Sequence, residues 1–522
     1  MFAGACRVSA PRVVTEPVGG GALTRAALDG STPRGWFAPR PRGAEQWTSH
    51  AESVRGGFAG AGWLDALRPA LQLSGAAHER MARVAAGNGI VVTTGQQPGL
   101  FGGPGYTWLK AMSALALADR LERELGIPVA PVFWAATDDA DFEEASFTDV
   151  SLDNTVRRLS VERRVADGLV MSQTPLGDVS DQMRVLFEAA GSAAHGEVLA
   201  ALQRAYHADA TVGSAYVQFL REMLQPLGIA VLDSWHPAVR AAARPTLVTA
   251  LARAAVVDEA VAMRTVSIER GGYRAQVARV AKLSLVFRSV DGRKERVPLA
   301  QAIEASQRDD LVLSANVLLR PVVERQIMPT VAYVGGPGEI AYFAQVSAAA
   351  EAMGLPVPLV VPRWSATVIE PAVDRMLGRL GMVFEDIRAP HVAERRIGER
   401  AMPAGVRDAL SAMQTSIDQQ LAALDEAQKG RPLVEAAVIA GAKKEFHHRV
   451  ERLERRVRAA ATRGEEQAIA DLASIRAAVL PRGERQERAL NYAPMFARHG
   501  DTLWAQLRTG AAMHAGSLIG TP

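Results

Sequence analysis

The apolar positions of this chain change period several times, and the changes mark out its elements. Residues 89–94 (GIVVTT) are a short β-branched run that reads as a buried strand. A glycine-rich loop follows from Gly95 to Tyr106 (GQQPGLFGGPGY), and apolar residues then recur at helical spacing to Leu125, where Gly126 ends the helix. A second buried strand is predicted over 127–136 (IPVAPVFWAA), running into the acidic loop Thr137–Glu144. Strand, loop, helix, strand is the repeating unit of a parallel sheet. Further apolar runs at 227–235 and 355–363 extend it into a parallel α/β core interrupted by insertions. Period-two alternation with an Asp291-Gly292 turn predicts a β-rich insertion within 261–300. Residues 1 to about 60, rich in Gly, Pro and Arg, read as an extended segment wrapping the core, and 61–86 as helical with breaks at Pro69 and Gly75.

Between 403 and 480 the pattern changes in kind. Val406, Leu410, Met413, Ile417, Leu421 and Leu424 advance in steps of four and three, a heptad-like seam. The KGRP turn at 429–432 precedes a second stretch carrying Phe446, Val450, Leu453 and Val457, so two long helices should form an antiparallel hairpin. Gly464 marks a local irregularity, Pro481 and Gly483 end the arm, and the last forty or so residues should return as short helical pieces. The organisation expected is a core over 1–400 with inserted regions at about 150–215 and 255–310, a helical coiled-coil arm over 401–480, and a returning segment over 481–522.

Composition narrows the picture without changing it. The 522 residues are 48% hydrophobic and 22% charged, the balance of a folded chain with a sizeable core. A net charge of +3 with the two signs interspersed gives no footprint for nucleic acid. The single cysteine, Cys6, excludes an intramolecular disulfide and a cysteine metal cluster. No signal-peptide h-region and no charge-free run of about eighteen apolar residues occurs, so a cytoplasmic, non-membrane protein is expected.

Ligands of open parallel sheets bind beyond the carboxyl ends of the strands, and three constellations sit at such ends. The first is the Gly95 loop, where Gly102 and Gly103 let backbone approach a ligand, the following helix start favours an anion, and Gln96 and Gln97 are amides that packing does not require. Its spacing fits neither GxGxxG nor a P-loop. The second is the acidic loop, whose carboxylates suit an ammonium group, Mg²⁺ or general-base work. Asp139 and Asp141 are the leading candidates, with Glu143 and Glu144 read as helix caps. The third is AYVGGPGE, an apolar strand followed by Gly335 and Gly336 and then Glu339, which opens a helix bringing Tyr342 and Gln345 to one side. Arg320 and Arg363 are candidate carboxylate clamps. His447 and His448 point to different helix faces and have no partner at zinc spacing, so no metal site is expected.

Taken in order, TTGQQPGLFGGPGYTWLKAMSAL, PVFWAATDDADFEEA, NVLLRPVVERQIMPTVAYVGGPGEIAYFAQ and VVPRWSAT, then the heptad seam and PRGERQERALN, resemble the bacillithiol biosynthesis cysteine-adding enzyme family, the cysteine ligases or bacillithiol synthases. The resemblance runs across nearly the whole chain and is most specific from 90 to 370. It implies a Rossmann-like core with connecting-peptide insertions, and a coiled coil through which the family dimerises. The implied reaction condenses the amine of glucosaminyl-malate with the carboxyl group of cysteine to give bacillithiol, with ATP as the expected energy source. Residue by residue, the resemblance places Gly95, Gln96, Gln97, Gly102, Gly103, Tyr106 and Lys110 on one side of the pocket. Asp139, Asp141, Tyr333, Gly335, Gly336, Glu339, Arg363 and Asn491 fall on the rest; Arg320, Tyr342 and Ser365 join the candidate binding residues from the reading of their own segments. Two positions depart from the family pattern: Ala140 stands where a His usually separates the aspartates, and Gly105 where a larger apolar residue is usual. Two other readings remain open at this stage, a nucleotidyl- or aminoacyl-transferase acting on another amine and a non-catalytic coiled-coil scaffold.

Overall fold

The computed structural model describes residues 10–520 except Arg164, Ala166 and Pro432. Cys6 and the opening MFAGACRVS therefore lie outside the described residues, as does the last residue of the KGRP turn.

Five parallel strands form the central sheet: β1 (Ile90–Gln96), β2 (Val129–Ala135), β3 (Ala230–Asp233), β4 (Thr330–Gly335) and β5 (Val360–Pro362). They lie in the order β5-β4-β1-β2-β3. Reading outward from β1, the chain first lays β2 and β3 on one side and then returns to lay β4 and β5 on the other, the Rossmann-like order. Every position of β1 from Ile90 to Gly95 is buried, as is all of β2. Helices cover both faces of a parallel sheet, so its strands read as continuous apolar runs rather than alternating ones.

Each face of the sheet has its own core. Ile90, Val92, Val129, Val331 and Val334 pack with Ala114, Leu117 and Leu121 of α1 (Tyr106–Leu125). Val91, Ala130, Val132, Ala230 and Leu232 pack with Val239, Ala243 and Leu247 of α2 (Pro237–Ala252) and with Tyr342, Phe343 and Val346 of α3 (Pro337–Met353). The helices that follow β1 and β4 thus lie on opposite faces. The loops after these adjacent strands diverge, opening a crevice at their carboxyl ends.

Insertions separate the strands. Helices Ser180–Ala190, Gly196–Ala205 and Val212–Leu224 lie between β2 and β3, and helix Ala254–Arg270 and a three-stranded antiparallel sheet (Leu283–Val290, Arg293–Pro298, Leu313–Ala315) lie between β3 and β4. Asp291 and Gly292 both have positive φ, 49° and 78°, as a two-residue hairpin turn requires. The β-rich insertion is therefore narrower than expected, since 254–270 is helical. The segment expected to be extended before residue 60 holds two helices, Ala22–Asp29 and Gly43–Gly56, which bury Leu23, Trp47, Ala51 and Val54. Pro69 lies inside a helix, Trp63–Leu71, rather than breaking it.

The described chain divides into two compact units. One contains residues up to Val150, Arg157–Val368 and Arg485 onward, and the other Ser151–Val156 and Ile369–Glu484. Within the second, α4 (Ala404–Ala427) and α5 (Ala436–Arg463) form the long arms of the coiled coil. Leu410 is buried along the seam, whereas Met413, Leu424, Phe446 and Leu453 are exposed. The segment after Pro481 returns not as short pieces but as one long element, α6 (Ala493–Ile519), interrupted only at Gly500, whose backbone leaves the helical region. Among the described residues no helix is long and apolar enough to cross a membrane.

Candidate active site

The crevice is built from the ends of β1 and β4. Glu339, in the first turn of α3, turns back to accept from the Gly336 amide at 2.7 Å through Oε2 and from the Tyr333 hydroxyl through Oε1. Its reach back to the start of its own helix is the geometry of a capping box. Lys110, one turn into α1, places its ammonium 2.5 Å from the same Oε2 and also donates to Gly95 O and Gln96 Oε1. Burial acts to raise the Glu339 carboxyl, but Lys110 and then Arg320 outweigh it and hold it below its ordinary value. Lys110 is buried and moves down for the same desolvation reason, against the pull of Glu339.

Arg320 extends this network beneath the crevice. Its guanidinium donates to Glu324 Oε1 at 2.8 Å, Tyr342 Oη at 3.0 Å and Tyr333 Oη at 3.2 Å. A Cβ on Gly95 would stand 2.7 Å from Trp134 O and 3.2 Å from Arg320 Nη1, so only glycine lets β1 end this close to its neighbours. The path runs unbroken from Glu324 through Arg320, Tyr333, Glu339 and Lys110 to Gln96, whose amide donates to Tyr106 Oη at 3.3 Å. Gln345, noted beside Tyr342 in the sequence, instead fastens Val277 to α3.

The acidic loop meets this network at Gln97, which donates to Asp139 Oδ2 at 2.5 Å. The other oxygen of Asp139 accepts from the amides of Ala140 and Asp141. Asp141 caps the short helix Phe142–Ala145 by accepting from Glu144 N, the role expected of Glu143 and Glu144. Asp141 is thereby engaged in shaping the loop. Burial, followed by the neighbouring Asp141 and Asp139, pushes the Glu144 carboxyl up, while a hydrogen bond with Tyr106 opposes the shift.

Three expected ligand groups turn out to hold the protein together. Arg363 is buried, donates from both Nη atoms to Glu487 at 2.7 and 3.0 Å, and also reaches Ser365 Oγ, so its fork and Ser365 are used internally. Asn491 spends its amide on Leu100 O, Phe101 O and Thr148 Oγ1, clamping the glycine loop. Within that loop Gly102 N donates to Tyr206 Oη, Gly103 N to Leu100 O and Gly105 N to Leu490 O. A Cβ at Gly102 would collide with Phe219 and Trp108. Of the two glycines expected to admit a ligand, Gly102 lies against aromatic side chains and Gly103 against Thr107 and Gly99, and the amides of Thr107 and Trp108 at the start of α1 donate to Pro104 O and Gly105 O. Gly335 and Gly336 remain at the crevice, Gly336 beside Glu339, Arg363 and Lys110.

Comparison with known proteins decides the family. Residues 45–364 match the model described as "Bacillithiol biosynthesis BshC, N-terminal Rossmann-like domain", and 366–515 the one described as "Bacillithiol biosynthesis BshC, C-terminal coiled-coil domain". The chain belongs to the bacillithiol biosynthesis BshC family. A protein of Solibacter usitatus (strain Ellin6076) named "Putative cysteine ligase BshC" is 30% identical over 461 residues, covering 85% of this chain and 86% of its own. Proteins of the same name from Koribacter versatilis (strain Ellin345) and Symbiobacterium thermophilum (strain DSM 24528 / JCM 14929 / IAM 14863 / T) are 31% and 28% identical. They cover 81% and 80% of this chain, and each alignment takes in 81% of the relative.

Gly105 has a local reason to be glycine. A Cβ there would stand 2.3 Å from Tyr492 Cε1, so the Tyr492 ring occupies the space of a side chain at 105. Two participants escaped the sequence reading, Glu324 and Glu487; Asp138, read within the acidic loop but ranked behind Asp139 and Asp141, has its carboxylate buried against Ser234 and Lys294. Glu324 and Glu487 each looked like an ordinary charge in a polar stretch. Glu487 is revealed only by Arg363, 124 residues away, and Glu324 only by the burial of its ion pair with Arg320 in the same helix.

Proposed function

We propose that this ligase joins the carboxyl group of cysteine to the amine of glucosaminyl-malate, forming bacillithiol with ATP as the energy source. The observation that carries the reading is the Gln96–Lys110–Glu339–Arg320 network at the β1/β4 switch point of a chain in this family. It sets polar groups and fixed charges where loops from opposite faces of the sheet diverge, the place at which this architecture binds small molecules. The amine nitrogen attacks the activated carboxyl carbon, the C–N bond forms, the activating oxygen leaves with phosphorus, and the amine proton passes to a base. Glu144, whose carboxyl is pushed up beside Tyr106, is the acceptor in the loop where Ala140 replaces the usual His. Mg²⁺ is proposed to arrive on the ATP phosphates. Among the described residues no group of three or more His, Cys, Asp or Glu side chains converges on one point, and Asp139 and Asp141 already accept from amides.

A homodimer through the coiled coil is part of the same proposal, supported by the apolar seam residues that α4 and α5 leave exposed. The deciding experiment supplies purified protein with cysteine, glucosaminyl-malate and MgATP and looks for bacillithiol by mass spectrometry. Product that requires all three supports the reading, and absence of product with all three present overturns it.

A further inference from the structure

The cations that line the crevice spend their charge inside the protein: Lys110 on Glu339, Arg320 on Glu324, Arg363 on Glu487. Arg488 does not. It is exposed, and among the described residues its guanidinium has no hydrogen-bond or ion-pair partner. Its seat is the short helix Gln486–Ala489, which the core grips from below. Gln486 accepts from Val368 N and donates to Val368 O, each at 2.8 Å, while Glu487 accepts from Arg363 and from Ala366 N. Leu490 O then accepts from Gly105 N at 2.9 Å, which lays this segment beside Tyr106, the first residue of α1. The Arg363 guanidinium lies 5.9 Å from the Tyr106 ring. Burial is the main force raising the Tyr106 hydroxyl; Glu144 adds to the rise, and Arg488 is near enough to oppose it.

We infer that Arg488 is a substrate-recognition residue at the crevice mouth, its guanidinium taking an oxyanion group of the bound substrates, a malyl carboxylate of glucosaminyl-malate or a phosphate of ATP. The inference rests on the ligase reading above and adds to it how the mouth selects an anionic substrate. Carboxylate and phosphate offer a guanidinium the same chemistry, two oxygens matched to two N–H donors. Adjacency favours the carboxylate. In glucosaminyl-malate the amine and the malyl group are carried on neighbouring ring carbons, and Glu144, the proposed base for that amine, acts on the same Tyr106 hydroxyl as Arg488. The anchored backbone beneath Arg488 also lowers the ordering cost that a long side chain brings to binding. Such a seat is of no use to an arginine that only solvates the surface.

Initial rates of bacillithiol formation by the full chain test the assignment, with glucosaminyl-malate, MgATP and cysteine varied in turn. The proteins compared are the wild type, Arg488→Gln, Arg488→Lys and Arg123→Gln. Arg123 is exposed in the last turn of α1, roughly 25 Å along that helix from Tyr106, and controls for the loss of one positive charge. In Arg488→Gln the KM for glucosaminyl-malate is expected to rise about tenfold or more with kcat little changed. Arg488→Lys should recover part of the loss, and Arg123→Gln should match the wild type. Methyl glucosaminide, which keeps the amine and lacks the carboxylates, should serve the wild type and Arg488→Gln equally poorly. A rise confined to the KM for ATP supports oxyanion recognition and assigns the group to phosphate. Unchanged KM values for both substrates, or an equal rise in Arg123→Gln, overturn the inference and leave the ligase reading standing. If the wild type makes no product, the ligase reading fails by itself, and calorimetric titration with L-malate and with ATP decides the role of Arg488. Saturable binding that is lost in Arg488→Gln keeps the inference, whereas binding of neither, or equal binding by the variant, overturns it.

Discussion

Lys110 and Glu339 meet at 2.5 Å although their helices cover opposite faces of the sheet. The pair ties the two halves of the Rossmann-like core together at the point where the crevice opens. Removing one member strands the other charge away from water, a loss of about 3–5 kcal/mol for a buried pair. Lys110→Met is expected to lower the denaturation midpoint by that order and to abolish turnover. Urea unfolding and a bacillithiol assay check both.

Glu324 makes the stability of the core depend on pH. Burial raises its carboxyl to about 7, against the pull of Arg320. The folded chain therefore keeps this proton at pH values where the unfolded chain, with an ordinary carboxyl near 4.3, has lost it. The contribution of Glu324 is fully present below about pH 4.3 and declines as pH rises to about 7, a change of the order of 3 kcal/mol. Denaturant unfolding at intervals from pH 4.5 to 7.5 should show this decline in the wild type and its loss in Glu324→Gln.

Arg363 is expected to behave as a structural group. Its bidentate pairing with Glu487 is sealed in the core, and a lysine cannot reproduce the fork. Arg363→Lys and Glu487→Gln should each cost about 3–5 kcal/mol in unfolding experiments, and activity should fall with the folded fraction. A folded Arg363→Lys protein with greatly reduced kcat would instead place Arg363 in contact with substrate.

Gly105→Ala should destabilise although Gly105 has an ordinary helical backbone, φ −51°. The penalty comes from Tyr492, whose ring would be struck, and overpacking of this kind costs about 1–3 kcal/mol. Combining Gly105→Ala with Tyr492→Leu should recover part of the thermal midpoint, and a purely additive double variant would disprove the coupling.

The exposed seam of the arm predicts association. Leu424→Glu is expected to leave the circular dichroism spectrum unchanged while shifting sedimentation towards the monomer, because Leu424 is exposed within its own chain. An unchanged sedimentation coefficient would remove the coiled coil from the dimer contact.

The sheet and the hairpin arm were legible because their signals are local. Fully buried parallel strands write themselves as unbroken apolar runs, as at GIVVTT and PVFWA, and the arm carries a period. The family, too, could be read from motifs in order. The purpose of individual glycines and arginines could not. Gly102 is small because Phe219 and Trp108 press on it, Gly105 because of Tyr492, and Arg363 is neutralised by Glu487. Phe219, Tyr492 and Glu487, each more than a hundred residues from the position it constrains, leave no trace in a local pattern. The N-terminal helices were missed for a related reason: buried Trp47, Ala51 and Val54 repay tertiary packing in a segment whose Gly and Pro content points to extended chain.

The clamp formed by Asn491 bears on the order of events during synthesis. Its amide holds Leu100 and Phe101 in place, Glu487 holds Arg363, and α6 then packs along α1. A ribosome that has produced the glycine loop must therefore translate nearly four hundred further residues before the groups that lock the loop emerge. Until then the nascent core exposes the apolar face of α1, a natural binding surface for chaperones, and a chain cut short before residue 485 would carry its crevice-forming loops without the fastenings that shape them.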